Sequence, residues 1–172
     1  MSLIKRLHAR REAQAGYSIG EILIYFGLVA LAVALIAYGA NKALNVFRVT
    51  RTQENLLTMR MQIQQLFSGA SDYTGLDNTM AINAGLAPSI FVKGTKLLNP
   101  WGGNITLASE SATIAFTIQF DEIPREECTR LAAYQPEAWL SVDVNGNVAN
   151  GKDVVTIAGS CSETNTITFT AR

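Results

Sequence analysis

The sequence predicts an α+β fold: one long N-terminal helix, apolar enough in its first half to span a membrane, packed on a small antiparallel sheet domain. Three observations predict it. Residues 22–41 carry no charge and are bounded by Glu21 and Lys42. No proline occurs between Tyr17 and Phe67. The C-terminal half breaks into short alternating apolar stretches separated by glycine, asparagine and proline. With 172 residues, 48% hydrophobic and 16% charged, the chain has a globular rather than a disordered composition.

The uncharged run covers roughly 30 Å as a helix, the thickness of a hydrocarbon core. It lacks the polar face of a soluble amphipathic helix and so reads as a membrane helix. A cleaved secretory signal is the alternative, although its apolar region usually extends only about 7–15 residues. Ala37-Tyr38-Gly39 would be its weak cleavage site. Charge orients the segment poorly, because Lys5, Arg6, Arg10 and Arg11 precede it and Lys42, Arg48 and Arg51 follow it.

Beyond Lys42 the pattern becomes amphipathic. Leu56, Met59, Ile63 and Phe67 recur at helical spacing, with Val49 and Leu66 close to the same face. Arg48, Arg51, Glu54 and Arg60 fall on other faces. Ser68-Gly69 is the first stop signal. One helix over residues 18–67 would be roughly 75 Å long. Its stripe predicts the spine of the C-terminal domain, since it is too short for three clean coiled-coil heptads.

Residues 70–103 read as a loop rich in glycine and proline, with short helical turns at 81–86 and 89–92. Residues 104–108 and 113–119 alternate and read as a hairpin. Pro124-Arg125-Glu126-Glu127 opens a helix running to about Tyr134, with proline suited to the first turn and the acids to the helix dipole. Residues 139–144, the turn Asn145-Gly146 and a short return read as a second hairpin. Residues 154–158 and 166–170 complete a sheet of about four to five strands.

Composition also narrows the chemistry. The only histidine is His8 and there are two cysteines. Ser-His, Cys-His and His-metal chemistry are therefore disfavoured, and a zinc site of three or four thiolates cannot form within one chain. No GxSxG, Walker A or GxGxxG pattern occurs. Asp143-Val144-Asn145-Gly146-Asn147 faintly suggests a calcium loop, but its glycine is misplaced and Val154 occupies the position of the required glutamate. A hairpin turn is the better reading. Asp121, Glu122, Glu126 and Glu127 crowd one helix start and read as a solvated face or subunit contact. From Met61 onward there are six basic and eleven acidic residues, a poor balance for DNA binding.

Ahead of the apolar run, a short basic leader ends in glycine and a glutamate follows five residues later: Gly16-Tyr17-Ser18-Ile19-Gly20-Glu21. This resembles the prepilin peptidase site of type IV pilins. The resemblance implies cleavage after Gly16 on the cytoplasmic side and N-methylation of Tyr17 as the new N-terminus. It also implies that Glu21 is the family's fifth-position glutamate, and with helices staggered in a filament the Tyr17 ammonium of one subunit can meet Glu21 of a neighbour. A carboxylate in an apolar helix costs about 2.5–3.5 kcal/mol on insertion scales, so it persists where a partner exists. The Tyr17–Glu21 pair would set assembly register. Alternatively, Glu21 is a helix N-terminal acid at the membrane interface. Gly20 departs from the family, which usually carries a bulky apolar residue there.

The tyrosine after Gly16, the length of the leader, and Asn99-Pro100-Trp101-Gly102-Gly103-Asn104-Ile105-Thr106 resemble type IVb pilins. That group includes bundle-forming, toxin-coregulated and conjugative-plasmid thin-pilus subunits. Cys128, on the expected helix, and Cys161, before the last strand, are either two buried thiols or a disulfide. A bond would add ~3–4 kcal/mol in the chain-entropy model and implies an oxidising compartment. The resemblance implies the bond, with residues 128–161 carrying subunit contacts and surface identity.

The implied architecture is a leader at 1–16, a long helix at 17–68 and a globular head at 69–172. The implied function is structural: a major subunit that polymerises with itself into a helical filament for adhesion, aggregation or mating-pair contact. The expected partners are prepilin peptidase, the inner-membrane assembly machinery and the membrane itself, with no cofactor, metal, catalytic residue or direct nucleic-acid contact. The expected location is the bacterial inner membrane, then the cell surface. A minor pilin, a type II secretion pseudopilin and a non-polymerising anchored binding protein are the alternatives.

Overall fold

The computed structural model describes residues 18–110, 114–149 and 153–172. Helix α1 (Ile19–Leu66) begins at Ser18, whose hydroxyl accepts from the Glu21 amide at 3.2 Å. Ser18 and Glu21 have the spacing of a helix-starting box. The chain divides into two compact units, residues 1–42 and 43–172. In the described part of the first, side chains from Ser18 to Ala40 are all exposed. In the second, α1 buries Val49, Thr52, Leu56, Met59 and Ile63, one or two per turn. Thr52 fits this dry stripe because its hydroxyl donates to the Arg48 carbonyl at 2.8 Å. Leu66, expected near the stripe, is 51% exposed, and Phe67 is half-buried against Tyr73.

After α1 come α2 (Asn78–Asn83), capped by Asp77, and a two-stranded ribbon of β1 (Val92–Lys93) and β2 (Lys96–Leu97). Residues 89–91 form the expected turn, the amides of Phe91 and Val92 donating to the carbonyls of Pro88 at 2.9 Å and Ser89 at 3.3 Å, and lead into β1, where Gly94 at φ +64° turns the chain back to pair Val92 with Leu97. The main sheet holds β3 (Ile105–Glu110), β4 (Ala115–Pro124), β5 (Ser141–Val144), β6 (Asn147–Ala149) and β7 (Thr164–Ala171). Its order is β3-β4-β7-β5-β6 with every pair antiparallel. The last strand therefore sits at the centre, and the two hairpins flank it.

The inward positions of β4 and β7 alternate along the strands, supplying Phe116, Ile118, Phe120, Ile167 and Phe169. These residues join Leu56, Met59 and Ile63 of α1 in one buried cluster. The strands thus supply one wall of the core and α1 the other. Helix α3 (Arg125–Ala132) crosses to β5 through a single 3-10 turn, Pro136–Ala138. Pro124 occupies its N-cap rather than its first turn, and the helix ends two residues before Tyr134.

Residues 154–158, expected to be a strand, are helical: α4 spans Val154–Ser160. Asp153 caps it, accepting from the amides of Val155 and Thr156 and from the Thr156 hydroxyl. Two orphan amides of the helix start and one hydroxyl are satisfied locally, which outweighs the strand preference of Val154, Val155 and Ile157.

Candidate assembly and processing site

Of the residues expected to carry processing and assembly, Gly16 and Tyr17 lie outside the described residues. Glu21 lies in the first turn of α1, exposed, with its backbone amide held by Ser18. An acid here is stabilised by the helix dipole. Beyond it, Ile22, Leu23, Ile24, Tyr25, Phe26 and Leu28 are all between 43% and 71% exposed. The helix from Ile19 to Leu66 contains a window long and apolar enough to cross a membrane, with none of that window buried within the chain.

The second expected site is the disulfide. Cys128 of α3 and Cys161 at the end of α4 are bonded, with Cα atoms 6.0 Å apart and a sequence separation of 33. Both are buried, and the bond joins the two short helices that flank β5 and β6. A polar network holds the same segment. Asn165, 1% exposed, donates to the carbonyls of Ile123 at 2.9 Å and Ser162 at 2.8 Å. Its carbonyl oxygen accepts from the Ser162 amide at 2.6 Å and from Asn145 Nδ2 at 2.8 Å. Asn145 in turn donates to the Ser160 carbonyl and accepts from the Thr166 amide, both at 2.9 Å. The two asparagines therefore tie the β5–β6 turn, the chain around Cys161 and the start of β7 together.

Sequence reasoning missed this network. The available signal was Asn165 itself, a polar residue on the inward row Asn165, Ile167, Phe169, Ala171 of an alternating strand. Asn145-Gly146 forms the expected turn, with φ values of 56° and 83°, and Asp143 accepts the Gly146 amide at 2.7 Å. Asp143 thus completes a hairpin turn. Among the described residues no group of three or more His, Cys, Asp or Glu is placed to hold a metal ion.

The motif Asn99-Pro100-Trp101-Gly102-Gly103 shapes the approach to β3. Asn99, 5% exposed, accepts from the amides of Trp101 at 2.9 Å and Gly103 at 3.1 Å and donates to the Asp121 carbonyl at 2.6 Å. A Cβ on Gly103 would lie 2.0 Å from that carbonyl oxygen, so only glycine fits. Opposite it, β4 bulges between Phe120 and Ile123, with Glu122 at φ 57°. The acids expected at the start of α3 separate accordingly. Asp121 accepts from Gln119 and Thr166, Glu122 and Glu126 are exposed, and Glu127 is 5% exposed. Burial lowers the pKa of Arg60 on α1 and raises that of Tyr73 in the loop that follows, and the Arg60 charge opposes the Tyr73 shift.

A long helix whose lower half the chain leaves uncovered, a five-stranded antiparallel sheet and a disulfide-tied C-terminal segment define the class: a type IV pilin fold. The sequence profile of the family described as PilS N terminal matches residues 47–172, and the chain belongs to that family as a type IVb pilin. The toxin coregulated pilin of Vibrio cholerae is 22% identical over 156 residues, covering 85% of this chain and 70% of that protein. The major structural subunit of the bundle-forming pilus of Escherichia coli is 22% identical over 126 residues, covering 71% of this chain and 65% of that one. The crystal structure of a type IV b pilin from Salmonella typhi superposes with a TM-score of 0.57 at 21% identity, covering 68% of this chain and 95% of that one. TcpA, a type IV pilin from Vibrio cholerae El Tor biotype, superposes at 0.50 and 14% identity, covering 73% of this chain and 99% of that one.

Proposed function

We propose that the chain is the precursor of a major pilus subunit. Residues 1–16 are its leader, 17–68 its helix and 69–172 its head. Cleavage after Gly16 by prepilin peptidase frees the Tyr17 amine, which is then methylated. The helix waits in the inner membrane, the head folds on the oxidising side, and assembly machinery draws the helix into a filament of identical subunits at the cell surface. Adhesion, aggregation or mating-pair contact is the output of the filament.

The observation that carries this reading is the uncovered apolar stretch of α1 with a single acid at its start. A protein folded for itself alone does not leave such a surface open to water. Lipid covers it first, and other copies of the same helix cover it in the filament. The Tyr17 ammonium of one subunit meets Glu21 of another, offsetting the cost of a carboxylate among apolar side chains.

Intact mass and N-terminal peptide mapping of material sheared from producing cells test the proposal. The expected species begins at N-methylated Tyr17 and dominates the sheared fraction. A chain retaining Met1 and confined to membranes would instead mark a non-polymerising anchored protein. A trace species among a more abundant pilin would mark a minor subunit.

A further inference from the structure

Between Glu21 and Glu54 the chain has no acidic residue and three basic ones, Lys42, Arg48 and Arg51. Arg48 and Arg51 share one face of α1 with Leu44 and Phe47, at positions i, i+3, i+4 and i+7. All four side chains are exposed, Leu44 by 53% and Phe47 by 54%. The stripe that enters the head's core begins at Val49 and continues through Thr52 and Leu56 on a different face. The core of the head therefore leaves the face of Leu44 and Phe47 open.

Geometry indicates what this face meets. The Arg51 guanidinium carbon lies 4.6 Å from the centre of the Phe47 ring, one turn back along the helix from its own Cα. Side chains on a helix lean towards its N-terminus, and the Arg48 stem starts in the same direction. On an α-helix Leu44 and Phe47 lie about 4.5 Å and 9 Å beyond Asn41, where the uncharged run ends. The headgroup layer outside the hydrocarbon is about 5–8 Å deep on each side. With residues 22–41 in lipid, the Leu44 backbone lies within the headgroup layer and that of Phe47 at its outer edge, and side chains leaning back towards the N-terminus bring the leucine to the acyl side and the ring and the two charges to headgroup depth.

We propose that Leu44, Phe47, Arg48 and Arg51 form a collar that binds anionic phospholipid headgroups on the side of the membrane where the head folds. The inference rests on the membrane reading of residues 22–41. Two planar guanidinium groups match phosphodiester oxygens, the aromatic ring occupies the interfacial zone, and the leucine reaches the acyl boundary. The collar fixes how deep the helix sits before assembly. It also explains cations on the far side of the span, where the inside bias of positive charge gives them no role. Extraction into a filament must break these contacts, so anionic lipid holds back the unassembled subunit.

The test is backbone hydrogen exchange on the full chain in lipid nanodiscs, comparing phosphatidylcholine with a phosphatidylcholine and phosphatidylglycerol mixture. Exchange across residues 44–51 should slow in the anionic discs. At roughly fivefold per arginine, the combined effect is of the order of tenfold or more. The R48Q/R51Q double variant should lose the difference and R48K/R51K should keep most of it, while half-molar salt reduces it in the parent chain. Equal exchange of 44–51 in both lipids, with 22–41 protected in both, overturns the collar and leaves the membrane reading standing. Protection of 44–51 that follows the number of copies per disc, rather than lipid charge, also overturns it and assigns the face to a second subunit. Rapid exchange across 22–41 in both discs defeats the membrane reading and the collar with it.

Discussion

Residues 22–41 and 49–63 belong to one helix and follow opposite rules. The first stretch is apolar on every side and none of its described side chains, 22–40, is buried, whereas the second is mixed in composition yet buries Leu56, Met59 and Ile63 completely. Apolar content alone therefore does not make a core. A stripe of fixed width lets a helix be completed by its own chain, and an all-round apolar surface requires completion from outside. The boundary between the two compact units, after Lys42, falls where the pattern changes.

The same kind of truncation should have opposite consequences in the two stretches. Ile63→Ala, at a fully buried site, should lower the unfolding free energy of the head by about 3–4 kcal/mol in urea titrations. Leu31→Ala, 58% exposed, should leave the head's unfolding within about 0.5 kcal/mol of the parent and act instead on filament yield. If the two variants lose equal stability as monomers, the division is wrong.

Removing the disulfide asks how much of the head stands independently of the helix. Replacing both Cys128 and Cys161 by serine should cost ~3 kcal/mol by releasing the unfolded chain, with the loss seen in thermal unfolding and matched by adding reductant to the parent. Asn165→Ala should cost about 2 kcal/mol, because the Ile123 carbonyl and the Ser162 amide lose a buried partner. Amide exchange around Cys161 should rise in that variant while Leu56 and Met59 stay protected.

The smallest effect concerns pH. Hydrogen bonds from the Thr156 hydroxyl and amide, then from the Val155 amide, hold the Asp153 carboxyl below its ordinary pKa. A depressed carboxylate contributes stability above its unfolded pKa of about 3.9 and loses it as pH falls through the folded value. The amides of Val155 and Thr156 should therefore lose protection, measured relative to their intrinsic exchange rates at each pH, below about pH 4, with little change in global unfolding at neutral pH. Asp153→Asn should weaken that acid response and preserve much of the cap.

The sequence showed most where the pattern is long or the turn chemistry is specific. The 48-residue α1 follows from an uncharged run and a helical stripe, and the β5–β6 turn follows from Asn145-Gly146. Residues 154–158 misled because β-branched composition suggests a strand, while one capping aspartate and the tether at Cys161 decide for a short helix. Long-range polar packing was the least legible. Nothing local says that Asn165 meets Asn145, or that Gly103 lies against the Asp121 carbonyl, since each depends on strands brought together from distant parts of the chain. The residues proposed for processing and assembly stood out by their spacing, Gly16 to Glu21.

The most direct measurement is made on a chain beginning at Ala43, by equilibrium unfolding together with sedimentation. The account predicts a soluble monomer that unfolds in one cooperative transition, with its disulfide closed and Leu56, Met59 and Ile63 protected from exchange. An insoluble or non-cooperative product would mean that the first stretch of α1 is part of the head's own fold, contradicting the division on which the pilin mechanism stands.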